Sequence, residues 1–365
     1  MSENRYSNIV LMAKEIQAIP SPTFHETKRA EFLADQFSAL SLQDVHIDPS
    51  GNVYARIKGG KALPLVISAH LDSVLSPVDN VPLIQNERHM TGPGIGDNAI
   101  GVAALIEIGR TIMEQKTQPP GDIWLVGDVG EEGLGNLKGM QHIVDKFKDK
   151  VVAYLVLEGI GLGMIQTAAL GIHRYRIEVN SMGGHAWSNF GEPSAIHELI
   201  ALSSKILAIK LPANPRSSIN IGAISGGGSI NSIACHAEMQ IEIRSEDETI
   251  LESLSRTIHK IATQTNPTGT EYVISEIGMR PSGRMKENAP VIIAAQAALR
   301  NAGITPVFAI SSSDASLPIS LGYPATCLGI TTGRQVHTHQ ETIDLLSISK
   351  GVSQLFHFIE HLWNF

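Results

Sequence analysis

Residues 5–18 carry apolar side chains at helical spacing, and Pro20 and Pro22 stop the pattern. Thr23, followed three residues later by Glu26, is a capping-box pair that predicts a second helix to about residue 40. The rhythm then changes. NVYARIK (52–58), LPLVISAHL (63–71), DIWLVGDV (122–129) and VVAYLVLE (151–158) are short, β-branched apolar runs with little polar alternation. Helical patterns at 99–113 and 136–147 lie between them. Strands buried on both faces and alternating with helices predict an α/β fold with a mostly parallel sheet.

From about residue 170 the pattern differs. HRYRIEVNS (173–181) alternates at period two, as a strand with one wet face does. A helix (194–209), two strands (217–225 and 233–244), a helix (247–264) and a strand (271–278) follow. This β-α-β-β-α-β order is the ferredoxin-like plan. The chain then returns to a helix (288–302), PVFAI (306–310), PATCLGI (324–330) and a closing helix (345–363). The expected organisation is an α/β domain of residues 1–169 and 283–365, interrupted by an α+β domain of residues 170–282.

Composition narrows the function classes. The 365 residues suit two domains, and 43% hydrophobic content is enough to build their cores. The net charge of −8 argues against a nucleic-acid partner, which would call for a basic face. Two cysteines, Cys235 and Cys327, are too few for a disulfide framework or a cysteine-rich zinc module. The first 17 residues hold only a five-residue apolar run, Ile9 to Ala13, which is not the apolar core of a signal peptide. No stretch offers 18 uncharged apolar residues for a membrane span. A cytoplasmic location without a membrane partner is expected.

In open α/β sheets, ligands bind beyond the carboxyl ends of the strands. The polar residues that follow each apolar run are therefore the candidates. They are His70 and Asp72 after VISA, Asp97 after the loop TGPGIG, Glu131 and Glu132 after DIWLVGDVG, Glu158 ending VVAYLVLE, and His337 with Glu341 four residues on. Each has an ordinary reading. A His-x-Asp triplet carries little weight alone, since His46-Ile47-Asp48 is another and reads as turn chemistry. Asp97 suits a helix N-cap, and Glu131-Glu132 a solvated helix start. Glu158 resists such a reading, because it interrupts a buried strand and carboxylates are rarely buried without a partner. What the ordinary readings leave unexplained is the joint placement at one sheet edge.

Mixed imidazole and carboxylate ligands suit a pair of divalent ions, zinc first, with Co2+ or Mn2+ as alternatives. Three carboxylates, Asp97, Glu132 and Glu158, offset most of the charge of two such ions. One must bridge them at a separation of about 3.5–4 Å, and Asp97, between the two halves of the set, is the natural bridge. Asp72 is placed to hold the other N–H of His70. Glu131, spare to the ligand count, is the expected general base. A dinucleotide reading of GPGIGDN fails for want of the G-x-G-x-x-G spacing.

VISAHLDSV, GIGDN, DVGEEGLGN, LEG and VHTHQE together resemble the co-catalytic zinc peptidases and deacylases, a family that includes carboxypeptidase G, peptidase T, the aminoacylases and acetylornithine deacetylase. The resemblance spans nearly the whole chain. It implies that His70, Asp97 and Glu158 hold one zinc and that Asp97, Glu132 and His337 hold the other. Either His337 or His339 is able to ligate by position; the family pattern of a ligand His with Glu at +4 selects His337. The resemblance makes the insertion a lid. Gly183-Gly184-His185 looks like the lid histidine that helps bind substrate across a dimer. Asn231 and Arg244 look like the substrate-carboxylate binders, although Arg244 also suits pairing with the acidic run 246–248. SSSDASLP (311–318) and GMRPSG (278–283) resemble the peptidase T-like branch; Ser313 and Asp314 equally suit N-caps for a helix through 320. Glu158 departs from that branch, which usually has Asp there, and matches the carboxypeptidases and deacylases.

The expected activity is di-zinc hydrolysis of small peptides by a homodimer joined through its lids. Hydrolysis of N-acyl amino acids is the alternative. A non-catalytic metal-binding protein is a third reading, against which Glu131 speaks, since such a protein has no use for a base beside its ligands.

Overall fold

The computed structural model describes residues 3–75, 82–116, 118–264 and 268–364. The chain divides into two compact units, Met1–Ala169 with Arg284–Phe365, and Leu170–Gly283.

In the first unit the apolar runs form one sheet. Its strands lie in the order 43–47, 53–57, 121–128, 62–70, 153–160, 325–331 and 164–169, with 307–311 also paired to the last. The central four, from 121–128 to 325–331, are parallel. Strands 53–57 and 164–169 join them antiparallel. Consecutive residues of each central strand face two different cores. Leu65, Ile67, Leu125 and Leu155 enter one, packed by the helices Glu3–Gln17, Thr27–Ala39, Ile100–Gln115, Pro290–Asn301 and Ile348–His361. Val66, Val126 and Val156 enter the other, under Lys138–Phe147 and Ser316–Ser320. With both faces dry, the sequence shows no polar alternation.

Two expected caps are absent. Glu26 stands before the helix Thr27–Ala39 without capping it. Its carboxylate accepts instead from Phe24 and Gly130 N–H, at 2.9 and 3.1 Å. The helix Ser316–Ser320 is preceded by Ala315 and likewise has no side-chain cap. Ser313 Oγ turns to Gln166 Oε1 at 2.6 Å, and Asp314 is fully buried. In both cases a tertiary partner joins a local one: Ser313 Oγ also accepts from Ala315 N–H at 3.3 Å, as Glu26 does from Phe24. The turn at His46-Ile47-Asp48 is local: Asp48 Oδ1 accepts from the N–H groups of Ser50, Gly51 and Asn52.

The second unit has a four-stranded antiparallel sheet in the order 217–226, 236–245, 171–181, 270–280. The helices Ala195–Leu207 and Glu248–Gln264 cover one face, where Tyr175, Ile177, Val179, Met239 and Ile241 are buried. The other face carries Arg174, Arg176, Glu238 and Glu242, which explains the period-two pattern. No helix among the described residues is long and apolar enough to cross a membrane.

One close approach fixes the candidate site. A Cβ on Gly159 would collide with the carbonyl oxygen of Gly96. These glycines adjoin Glu158 and Asp97, and the missing side chain of Gly159 lets strand and loop meet backbone to backbone. Gly159→Ala is expected to cost about 1–3 kcal/mol, the usual range for overpacking. Thermal unfolding of the metal-free protein measures it, and an unchanged midpoint would show that the two segments need not touch.

Candidate metal centre

His70 is the last residue of the strand Ala62–His70 and is almost wholly buried. Its Nε2 lies 3.0 Å from Asp97 Oδ1 and 3.6 Å from Glu158 Oε2. Its Nδ1 faces the backbone carbonyl oxygen of Asp72 at 3.0 Å. A carbonyl only accepts, so in the neutral ring Nδ1 carries the proton and Nε2 is bare. The second oxygen of Asp97, Oδ2, lies 3.0 Å from His337 Nε2, which is also 3.0 Å from Glu132 Oε1. One carboxylate thus turns its two oxygens to two imidazoles from different segments. His70, Asp97 and Glu158 each place a ligand-type atom within 4.8 Å of the others, and so do Asp97, Glu132 and His337.

The electrostatics favour cations. Hydrogen bonds to Asp97, then Glu132, raise His337 to about 10. Burial alone would lower His70, but the Glu158 charge and contacts with Asp72 and Asp97 push it well above the ordinary histidine range. Burial raises Glu158, against the pull of His70. Burial would also raise Asp97, yet hydrogen bonds from His337 and His70 hold it below the usual range. Three carboxylates converge here and draw positive charge between them. Imidazole nitrogen and carboxylate oxygen are suitable donors for divalent zinc, manganese or cobalt.

Residues 66–361 match the model of Peptidase family M20/M25/M40. The chain belongs to this peptidase family. It is a hydrolase acting on peptide bonds. A probable carboxypeptidase of Aspergillus flavus is 23% identical over 308 residues, covering 76% of this chain and 72% of that protein. Among solved structures, a tripeptidase from Staphylococcus aureus aligns with a TM-score of 0.82 at 23% identity, over 99% of each chain. Aminopeptidase PepT from Bacillus cereus aligns with a TM-score of 0.78 at 21% identity, over 98% of this chain and 99% of that one.

In this peptidase the ligand-type residues are held by anionic braces. Asp72 Oδ1 lies 3.4 Å from His70 Nδ1. Its carboxylate also accepts from Glu131 N–H (3.1 Å), Glu132 N–H (2.9 Å) and Thr23 Oγ1 (2.9 Å). Thr23, read as a cap, is therefore a tie to the centre. Glu341, four residues beyond His337, is also buried. Its Oε1 accepts from Gly96 N–H (2.6 Å) and Asp97 N–H (2.8 Å), and its Oε2 from His337 N–H (3.3 Å). Burial raises the Glu341 carboxyl to about 7, partly offset by these donors. Arg29 is buried below, its Nη1 and Nη2 each 2.7 Å from a carbonyl oxygen, of Leu71 and Ile19. Burial lowers its pKa to about 10, while Asp72 and Glu26 oppose the fall. Arg29 and Thr23 were missed because both lie in or before a helix far from the motifs; only a buried arginine in an amphipathic pattern hinted at one of them.

The remaining expected residues separate. Glu131 is buried beside Glu132. His339 is exposed. Asp128 and Asp314 are both fully buried. Burial, then the charge of Asp128, pushes Asp314 well above the carboxylate range. His185, Asn231 and Arg244 belong to the second unit. There Asn231 accepts from Ser229 Oγ at 2.6 Å, and its backbone carbonyl from Ala186 N–H at 2.9 Å. Arg244 pairs through Nε with Glu242 at 2.6 Å, not with the acidic run that follows it.

Asp72→Ala would leave the N–H groups of Glu131 and Glu132 without their acceptor. A loss of about 1–3 kcal/mol per orphaned group is expected, together with weaker uptake of the ion nearest Glu132. Chemical unfolding and metal titration check both; wild-type metal affinity would show that the loop holds its shape unaided.

Proposed function

We propose that this peptidase is an exopeptidase of small peptides that works with two divalent metal ions, zinc foremost. The observation that carries the reading is the division of the Asp97 carboxylate between His70 and His337. His70, Asp97 and Glu158 would hold one ion, and Asp97, Glu132 and His337 the other. Bound there, such ions polarise the scissile carbonyl and acidify the attacking water. Glu131 takes the proton from that water at its carboxylate and returns it to the leaving amine.

His185 supplies the oxyanion donor. Its Nδ1 accepts from the N–H groups of Trp187 (3.2 Å) and Ser188 (3.3 Å). The neutral ring therefore carries its proton on Nε2, a donor of the kind an oxyanion requires. Asn231 and Arg244 bind the substrate carboxylate, with Glu242 fixing the plane of the guanidinium. Recognition of a chain terminus is what makes cleavage exopeptidic.

The second unit serves as a lid through which two chains dimerise in the cytoplasm. Its edge strand Ser217–Gly226 has one neighbour in the sheet, and its helix Ala195–Leu207 exposes Ile200 and Leu207. An uncovered edge is a liability that pairing removes. The alternative, deacylation of N-acyl amino acids, is favoured by Glu158 standing where the aminopeptidases usually have Asp. Di- and tripeptides assayed beside N-acetyl amino acids, with zinc, manganese or cobalt, separate the two: faster turnover of the acylated substrates overturns the peptidase reading.

Glu131→Gln is expected to lower kcat by about 10²–10⁴-fold, the usual worth of a general base, with metal content unchanged. Loss of metal in this variant would make Glu131 a ligand. Mixing inactive Glu131→Gln chains with inactive His185→Ala chains should restore activity, because one site of a mixed dimer keeps both residues. No recovery after proven subunit exchange would place His185 outside the partner's site.

A further inference from the structure

Among the described residues, one further group of metal-ligating side chains lies outside the centre: His357, Glu360 and His361. They occupy the last turns of the closing helix Ile348–His361. His-x-x-Glu-His is the spacing with which a helix presents two imidazoles to zinc in the inverted zincins. Positions i and i+4 are neighbours on one helix face. Here one ligand atom from each of the three residues lies within 4.8 Å of the others, and the imidazole centroids are 6.2 Å apart.

A second observation concerns the proton. His361 Nδ1 lies 2.9 Å from the backbone carbonyl oxygen of His357. The carbonyl only accepts, so the ring proton sits on Nδ1 and the Nε2 lone pair is free. Metal-ligating histidines usually show this arrangement, the second nitrogen donating to a carbonyl or carboxylate. The Glu360 carboxylate stands 4.0 Å from His357 Nδ1 and is mostly exposed. The negative end of the helix dipole, at this terminus, adds attraction for a cation.

We propose that His357, Glu360 and His361 form a third metal site, separate from the catalytic pair, which takes a first-row divalent cation such as zinc. Three protein ligands leave the remaining position to water. Donors on a tetrahedral zinc stand about 3.4 Å apart, a closure that rotation of three accessible side chains achieves. A bound ion ties successive turns of the helix together at its C-terminal end. Because the ligands are exposed and lose rotamer freedom on binding, this site fills after the buried centre.

The test is a titration of metal-free protein with Zn2+, with bound metal counted by equilibrium dialysis and elemental analysis. Wild type is expected to bind one equivalent more than His361→Ala. His357→Ala and His361→Ala should each weaken that equivalent at least tenfold, with circular dichroism and peptidase activity unchanged. Asp97→Ala, which removes the bridge of the catalytic pair, should keep the extra equivalent. Equal uptake by wild type and by both folded histidine variants overturns the third site. Failure of the catalytic reading shows separately, as full metal uptake by Asp97→Ala, and leaves the helix site standing.

Discussion

Three carboxylates, Asp97, Glu132 and Glu158, converge at the carboxyl end of a buried parallel sheet, and their mutual repulsion is the constraint on which the rest depends. Charge gathered in a partly dry site is tolerated only if something positive stands within it. Two imidazoles answer part of that demand, and the negative charge around them shifts both upward. The geometry that creates the demand also answers it, because the donors fall into two triads that share Asp97. A cation in each triad would relieve the repulsion.

Holding such a cluster together requires a stiff frame. The frame is built from backbone N–H groups bound to buried carboxylates. Asp72 gathers the loop of Glu131 and Glu132, and Glu341 gathers the loops of Asp97 and His337. These braces add still more negative charge to the region. Part of it is balanced by the buried Arg29, and burial beside Asp128 pushes the Asp314 carboxyl well above its ordinary range. The backbone contact of Gly96 with Gly159 sets the distance between the two loops most directly involved. Fold and site are thus one problem: the small residues and anions that shape the loops serve the cluster rather than the hydrophobic core.

The second unit follows a different logic. Its sheet has one dry face and one charged face. His185, in the two-residue strand Gly184–His185, is oriented by two backbone N–H groups on one ring nitrogen, which fixes its tautomer without any buried charge. The helix site at His357 and His361 uses the same device with a carbonyl in place of N–H, and so leaves a lone pair outward where His185 presents a proton. The partner of one ring nitrogen decides whether an imidazole binds cations or anions.

Periodicity alone gave the two kinds of sheet, because a strand with two dry faces and a strand with one leave different marks on the chain. The ligand-type residues were legible for a related reason: each stands where an apolar run ends, and a carboxylate such as Glu158 inside such a run has no ordinary explanation. The divided Asp97, the choice of His337 over His339 by contact, and the braces at Asp72 and Glu341 were decided only in the tertiary structure. So were the lost caps at Thr23 and Ser313, whose hydroxyls found distant partners. Local rules weigh neighbours along the chain, whereas a buried hydroxyl or carboxylate must satisfy whatever the fold brings within about 3 Å of it. A residue's place in a pattern can therefore be read from sequence, but its partner depends on segments tens to hundreds of positions away.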